Sequence, residues 1–354
     1  MLGNKTEEEG VRARKEQILR RKCSFEAKIL VIKFGFDYIS ITENFHPALK
    51  KRVLILDFSG ALRAEGILPE NGQDSGCLES GGSVSVCELE KGSISLAETP
   101  ENLPKVSLQI TAPNEIFKDG AEVLDFTALE GARCYCDPAA AEEIERRLDP
   151  FRYGGEKWRE HPIHFIDTGE YHYLSKFFID PIDVPFTLLV LDNHTDMQDP
   201  AFGGDILSCG SWLAEVMRTS KCLQNVILAG PEGNIVLFER ASQGGALTQS
   251  SIERLSVEGM RSICSRISVR DFYISIDKDV MSKNYYQTSW TQGDLSPQEI
   301  TDILFLAFDA GSVLGVDICG GLDTSKSALT CDLAINRRTD IAILDALVLI
   351  GAFA

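Results

Sequence analysis

Short apolar runs alternate with amphipathic segments over most of the chain from about residue 106 onward. A run that is apolar at nearly every position is typical of a strand buried on both faces. The clearest such runs are IHFIDTG (163–169), FTLLVLD (186–192), FYISID (272–277) and SVLGVDIC (312–319). Further strands are predicted at RVLILDFS (52–59), VSLQI, ARCYC, NVILAG and IVLFE.

Helices are predicted between these strands, at 138–148, after 169, at 210–219, 251–264, 295–308 and 338–351. The segment 295–308 carries a helix start signature, with Ser296 as N-cap, Pro297 at the first position and Glu299 three residues after the cap. Strands that alternate with helices predict a mainly parallel sheet with helices on both faces, an α/β/α arrangement.

Two segments depart from this pattern. Residues 1–24 are charged and predict an exposed extension, and residues 68–105 are rich in Gly, Ser, Glu and Pro and predict an irregular insertion. The remainder, 25–354, is expected to form a single domain. The start of the chain lacks the apolar core of a secretory signal, and no apolar run reaches the roughly 18 residues of a membrane-spanning helix.

Composition narrows the classes of partner. The chain has a net charge of -18, which argues against binding nucleic acid or an anionic membrane and favours a neutral or cationic substrate. Its ten cysteines are irregularly spaced and stand mostly in apolar surroundings. This usage indicates reduced thiols in a cytoplasmic protein rather than a disulfide framework.

Acidic residues and histidines gather where several predicted strands end. Because ligands of such folds bind beyond the carboxyl ends of the strands, these side chains are expected to share one site. In the segment DNHTD, Asp192, His194 and Asp196 stand at every second position. An extended strand would therefore direct all three side chains to one face. The full set of candidate metal ligands is His172, Asp192, His194, Asp196, Asp277 and Asp279.

These six side chains suit hard divalent cations. Carboxylates with imidazoles and without thiolates favour Mn²⁺ over Zn²⁺ or copper. Four carboxylates are too many for one ion that also keeps a water, and they suit two ions that share bridging aspartates. Any one of the strand endings alone is explained equally well by helix capping.

The order of these motifs resembles the arginase/agmatinase (ureohydrolase) family. The resemblance lies in 169-GEYH-172, 192-DNHTD-196 and 275-SIDKD-279, and it covers roughly residues 160–350. It implies a three-layer α/β/α fold and two Mn²⁺ ions that activate a water for attack on a guanidinium or amide carbon. It also implies that Asp196 or Asp279 carries the proton to the leaving amine, and that the protein forms a homo-oligomer.

Three positions depart from the family pattern. Cys209 stands where arginases place a proton-shuttling histidine, 13 residues after Asp196, and either a catalytic or a pocket-lining role is open for it. The loop that recognises free arginine is not reproduced, although Asp205 could contact a cationic substrate. Gly320, three residues after the candidate substrate contact Asp317, replaces the guanidinium-binding glutamate of the family.

The sequence therefore predicts a dinuclear manganese hydrolase that acts on a C–N bond of a small or peptide guanidino or amide substrate, and not on free arginine. Two alternatives remain at this level. A deacetylase-like amidohydrolase with a single zinc would have the same fold, but the chain has no His-His pair. A metal-binding relative without activity would explain the lost histidine and glutamate.

Overall fold

The computed structural model describes residues 31–34, 38–41, 53–57, 122–200, 206–241, 245–323 and 330–349. The predicted extension 1–24, the insertion 68–105 and the strand VSLQI lie outside these residues. The single-domain prediction for 25–354 stays a prediction.

Thirteen strands and six α-helices lie within the described residues. The strands are β1 (Val31–Phe34), β2 (Tyr38–Ile41), β3 (Val53–Asp57), β4 (Glu122–Asp125), β5 (Tyr135–Cys136), β6 (Ile163–Ile166), β7 (Phe186–Leu191), β8 (Leu207–Ser208), β9 (Leu223–Ala229), β10 (Asn234–Arg240), β11 (Leu247–Arg254), β12 (Asp271–Asp277) and β13 (Ser312–Cys319). The helices are α1 (Pro138–Leu148), α2 (Leu174–Ile179), α3 (Trp212–Thr219), α4 (Val257–Arg266), α5 (Pro297–Ala310) and α6 (Thr330–Leu349).

In this part of the chain, nine strands form the central sheet, in the order β11-β10-β9-β7-β12-β13-β6-β3-β4. The pairings from β9 across to β4 are parallel, whereas β10 runs antiparallel to both of its neighbours. The mainly parallel sheet is therefore confirmed. The chain reverses direction at one edge of it, and IVLFE belongs to that reversal rather than to the parallel set.

Two apolar cores cover the opposite faces of this sheet. Strand β7 shows how they arise, because Leu188 and Val190 pack into one core whereas Leu189 and Leu191 pack into the other. Residues of α1, α2 and α3 complete the first core, and residues of α4, α5 and α6 complete the second. The three-layer α/β/α prediction is confirmed, since every position of β7 is buried as its continuous apolar run predicts.

The predicted helix boundaries agree with the structure where capping signals are strong. Ser296 and Glu299 form a reciprocal capping box, in which the Ser296 amide donates to Glu299 Oε2 over 2.8 Å. The helix predicted at 251–264 is partly wrong, because residues up to Arg254 belong to the edge strand β11 and α4 begins only at Val257. The alternation of part-buried and exposed side chains toward the end of β11 is that of a half-exposed strand. No helix in the described ranges combines the length and hydropathy needed to span a membrane.

Candidate metal centre

Three parallel strands deliver the candidate ligands to one edge of the sheet. Strands β7 and β12 are direct neighbours, and β6 lies beyond β13 on the other side of β12. Residues 192–196 follow β7, and residues 169–172 follow β6. Asp277 is the last residue of β12, and Asp279 lies just after it. The topology therefore brings the three sequence motifs together, as expected for ligand sites of open α/β sheets.

The segment 192–196 does not continue strand β7 as the alternation argument required. The strand ends at Leu191, and the chain then bends. Asp192 Oδ1 accepts a 2.6 Å hydrogen bond from the backbone N–H of His194, and Asp196 has a positive φ of 50°. The extended-strand explanation was thus wrong, because a bend and a left-handed residue, rather than strand pleating, bring these side chains together.

A deep group forms around His172, with Asp192 and Asp196 as the other two members. The side chain of His172 is only 1% exposed, and its Nδ1 lies 3.1 Å from Asp196 Oδ2, 3.2 Å from Asp192 Oδ2 and 3.5 Å from Asp277 Oδ2. The other ring nitrogen, Nε2, lies 2.8 Å from the hydroxyl of Ser275. Ser275 therefore fixes the ring so that Nδ1 faces the three carboxylates.

A shallow group forms around His194, with Asp192 and Asp279. Nδ1 of His194 lies 2.8 Å from Asp279 Oδ2 and 3.6 Å from Asp192 Oδ1, and its side chain is 35% exposed. Asp192 belongs to both groups through its two oxygens. Asp277 adjoins both groups, since its Oδ2 approaches His172 and its Oδ1 accepts the amide N–H of Asp279.

Electrostatics and hydrogen bonding both fit a divalent cation in these groups. Burial, followed by the charges of Asp279 and Asp192, raises the pKa of Asp277 to about 8. The nearby carboxylates of Asp192 and Asp279 raise the pKa of His194 to about 10. Nδ1 of His172 and Oδ2 of Asp192 are buried with no hydrogen-bond partner. The carboxylates of this cluster repel one another. Cations bound among the carboxylates and imidazoles would relieve that repulsion.

Between two of the candidate ligands, the side chain of Lys278 is fully buried. Its Nζ donates to Asp340 Oδ1 of α6 over 3.0 Å and lies 4.6 Å from the ring centroid of Tyr286. Tyr286 in turn donates to the other carboxylate oxygen of Asp340. This ion pair ties the turn that carries Asp277 and Asp279 to the last helix.

Of the three remaining predicted site residues, the structure places two. The backbone N–H of Cys209 donates to the carbonyl of Cys134, and burial, with the neighbouring Cys134 and Asp196, raises the pKa of its thiol to about 12. The Asp317 carboxylate is buried among His164 Nδ1 at 2.7 Å and the Tyr273 hydroxyl at 2.8 Å, and it is not part of either group. Asp205 lies outside the described residues, so its contact with substrate stays a prediction.

The sequence comparison agrees with this arrangement. Residues 164–320, which carry all six candidate ligands, match the sequence model of the arginase family. This part of the chain is therefore similar to the arginase family. A curated relative from Thermotoga maritima, described as an uncharacterized protein, is 29% identical over 234 residues, which are 66% of this chain and 83% of the relative.

Solved structures similar to the chain include three named enzymes. Proclavaminate amidino hydrolase from Streptomyces clavuligerus is 15% identical, with 63% of this chain and 75% of that chain covered and a TM-score of 0.42. Formiminoglutamase from Trypanosoma cruzi, with Mn²⁺, is 16% identical, with 64% and 76% covered and a TM-score of 0.41. Agmatine ureohydrolase from Thermoplasma volcanium is 9% identical, with 94% and 98% covered and a TM-score of 0.46.

Gly320 packs against the candidate centre, so a larger residue at this position would disturb it. Its φ is +92°, and a Cβ at this position would lie 2.3 Å from Asp277 Oδ1 and 2.8 Å from the backbone nitrogen of Lys278. Asp323, three residues further along the chain, is buried and receives a 2.8 Å hydrogen bond from Arg133. The backbone therefore packs against Asp277 at the position where the resemblance to the family led us to look for a guanidinium-binding glutamate.

Several residues that shape the centre were not among the site residues predicted from the sequence. Ser275 and Thr291 each place a hydroxyl against a histidine, the latter 2.7 Å from His194 Nε2. The indole of Trp212 is fully buried and donates to Asp196 Oδ2 over 2.6 Å. Only Ser275 had a sequence clue, since it belongs to the motif 275-SIDKD-279. The others come together only in the folded chain.

Proposed function

We propose that this protein is a hydrolase with two Mn²⁺ ions that cleaves a C–N bond of a guanidino or amide substrate other than free arginine. One observation carries the proposal. Two groups of metal-binding side chains meet at Asp192, and each supplies one imidazole nitrogen and two carboxylate oxygens within 4.8 Å of one another. A cytoplasmic location and a homo-oligomer are part of the same proposal.

Each candidate ligand has an assigned place in it. His172, Asp192, Asp196 and Asp277 would hold one ion, and His194 and Asp279 would hold the second together with the shared aspartates. Bound Mn²⁺ would supply Lewis-acid polarisation of the substrate and would acidify water at the site.

We assign to Asp196 the transfer of the proton from water to the leaving amine. Its Oδ2 accepts the indole N–H of Trp212 and faces His172, so we assign the proton to Oδ1. Asp279 is nearly buried, and its Oδ1 accepts the backbone N–H of Asn193, which orients it beside His194. The raised pKa of Cys209 keeps its thiol protonated at neutral pH, so it would act as a proton donor or a wall rather than as a nucleophile.

The substrate is constrained by what the centre lacks. A guanidinium held by a bidentate carboxylate needs an acid near Gly320, and the backbone occupies that space. Asp323 is already paired with Arg133. We therefore expect an amide, or a guanidino group that is modified or part of a peptide, rather than a free amino acid clamped by a glutamate.

Metal content tests the proposal first. The full chain would be purified without chelator, supplied with Mn²⁺ and measured by elemental analysis, with close to two Mn per chain expected. A panel of guanidines, formamides and amides would then be screened for release of urea or ammonia. Arginine should be cleaved poorly or not at all relative to the best member of the panel.

The same measurement separates the alternatives. One tightly bound zinc per chain would support a deacetylase-like amidohydrolase instead. Metal binding without turnover on any C–N substrate would support a non-catalytic relative. Failure to bind any divalent cation would contradict the proposal at its base.

A further inference from the structure

A short segment after the Asp277–Asp279 turn reaches across to the shallow group, and we name residues 287–293 the strap. One end of the strap is fixed to α6, where the Gln287 amide donates to Asn336 Oδ1 over 2.7 Å and its carbonyl accepts from Asn336 Nδ2 over 2.8 Å. The other end is fixed to the metal turn, since the Gly293 amide donates to the carbonyl of Asp279 over 2.8 Å. The backbone of the strap is thus hydrogen-bonded at both ends, to a side chain of α6 at one end and to the backbone of Asp279 at the other.

The middle of the strap contacts the segment that carries His194. Thr291 Oγ1 lies 2.7 Å from Nε2 of His194, and the Thr291 carbonyl accepts a 3.0 Å hydrogen bond from the side chain of Asn193. The ring of Trp290 packs edge-on against His194, with ring centroids 5.9 Å apart. Three contacts therefore hold two adjacent residues of the 192–196 segment.

These contacts decide which nitrogen of His194 can bind a cation. Nδ1 faces Asp279 and Asp192, so a bound ion needs the lone pair of Nδ1 and the proton must sit on Nε2. A proton on Nε2 needs an acceptor, and the Thr291 hydroxyl is at hydrogen-bond distance. Without it, a side chain that is 35% exposed could adopt the other tautomer or rotate toward solvent.

We propose that Thr291 is a positioning residue that presents His194 Nδ1 to the second ion. Partners of this kind around metal-binding histidines typically change metal affinity about 10- to 100-fold when removed. The inference rests on the proposed function, because it requires a cation at the shallow group. It assigns the orientation of His194 to the strap, whereas Ser275 fixes His172 from within the core.

The experiment is a Mn²⁺ titration of the metal-free full chain by calorimetry, with electron paramagnetic resonance to distinguish coupled from single ions. In Thr291→Val, which keeps the shape and removes the hydroxyl, we expect one of two ions to bind about 10- to 100-fold more weakly while the other is unchanged. Thr291→Ser, which keeps the hydroxyl, should restore binding. Thr288→Val is the matched control, because the Thr288 hydroxyl, in the same strap, hydrogen-bonds to the backbone of Trp290 rather than to His194.

Each outcome decides between named possibilities. If the wild-type chain binds two ions and Thr291→Val binds both with wild-type affinity, the inference is wrong and the proposed function stands. Equal weakening in Thr288→Val and Thr291→Val would also overturn it, because the effect would then come from the strap as a whole. A wild-type chain that binds no Mn²⁺ would overturn both proposals.

Discussion

The deep and shallow groups use the same kinds of side chain in different surroundings. His172 is held between a strand hydroxyl and three carboxylates and is almost wholly inaccessible, whereas His194 is one-third exposed and is held by the strap. The first geometry follows from the sheet and its core. The second depends on a segment outside the sheet, so it should be easier to perturb and to evolve.

The largest effect is expected from replacing the aspartate that the two groups share. Asp192→Asn keeps the volume of the side chain and removes one ligand charge from each group, so we expect loss of both ions. Elemental analysis after Mn²⁺ loading measures this. Asp125→Asn is the matched control, since Asp125 also ends a parallel strand of the sheet and its carboxylate accepts hydrogen bonds from the backbone N–H and the hydroxyl of Thr127.

Loss of one ion with the other kept in Asp192→Asn would mean that the two groups do not share this residue. The folded state of both variants should be checked by circular dichroism and thermal unfolding. A variant that unfolds gives no information on metal binding. Asp192→Glu, which keeps the charge, would then replace it, and we expect this variant to bind Mn²⁺ more weakly but not to lose it.

A smaller effect is expected from a substitution that disturbs Asp277, which adjoins the deep group. Gly320→Ala forces a Cβ against Asp277 Oδ1, in addition to the strain of a positive φ. The left-handed conformation alone costs roughly 1–2 kcal/mol, and we expect Gly320→Ala to lower the free energy of unfolding by more than this and to weaken Mn²⁺ binding. Chemical denaturation and metal titration measure the two effects.

Gly154→Ala provides the comparison for Gly320→Ala. Gly154 has a similar φ of +82°, and a Cβ there would meet nothing within 4 Å. It should show the conformational cost alone and unchanged metal binding. If both variants bind Mn²⁺ equally well, the packing of Gly320 against Asp277 has no role in the centre.

The smallest effect is the pH dependence of metal binding. The pKa of Asp277 is raised to about 8 in the metal-free protein, so at neutral pH its carboxyl holds a proton that Mn²⁺ must displace. Affinity should therefore rise with pH by up to about tenfold per unit for each displaced proton until about pH 8. Above this the Asp277 contribution levels off, whereas that of His194, with a pKa of about 10, continues.

Calorimetry in buffers of different ionisation enthalpy would count the protons released. More protons should be released at pH 7 than at pH 9. An affinity that does not change between pH 6 and 8 would mean that the carboxyl of Asp277 carries no proton in the metal-free protein.

The sequence predicted those parts of the molecule that local pattern controls. The buried run of β7, the capping box of α5 and the six candidate ligands could all be read from residue types at short spacing. The edge strand β11 was partly mistaken for a helix, because its exposed side carries polar residues that periodicity alone does not separate from a helix start. The bend after Leu191 was missed because it depends on hydrogen bonds to side chains.

The supporting residues could not be predicted because their contacts join distant parts of the chain. Thr291 lies 97 residues from His194, and Trp212 lies 16 residues from Asp196 on a helix of its own. Nothing in the composition around Thr291 marks it as a partner of a histidine. Such contacts follow from the order of strands in the sheet, which places the segments after β7 and β12 side by side.

The buried pair of Lys278 and Asp340 also bears on the order of events during synthesis. Lys278 lies between two candidate ligands, and its ion-pair partner Asp340 is on α6, 62 residues later in the chain. A buried ammonium without its carboxylate is strongly destabilising. Because the ribosome releases α6 after all six candidate ligands, we expect the nascent chain to hold an incomplete metal turn until this helix docks.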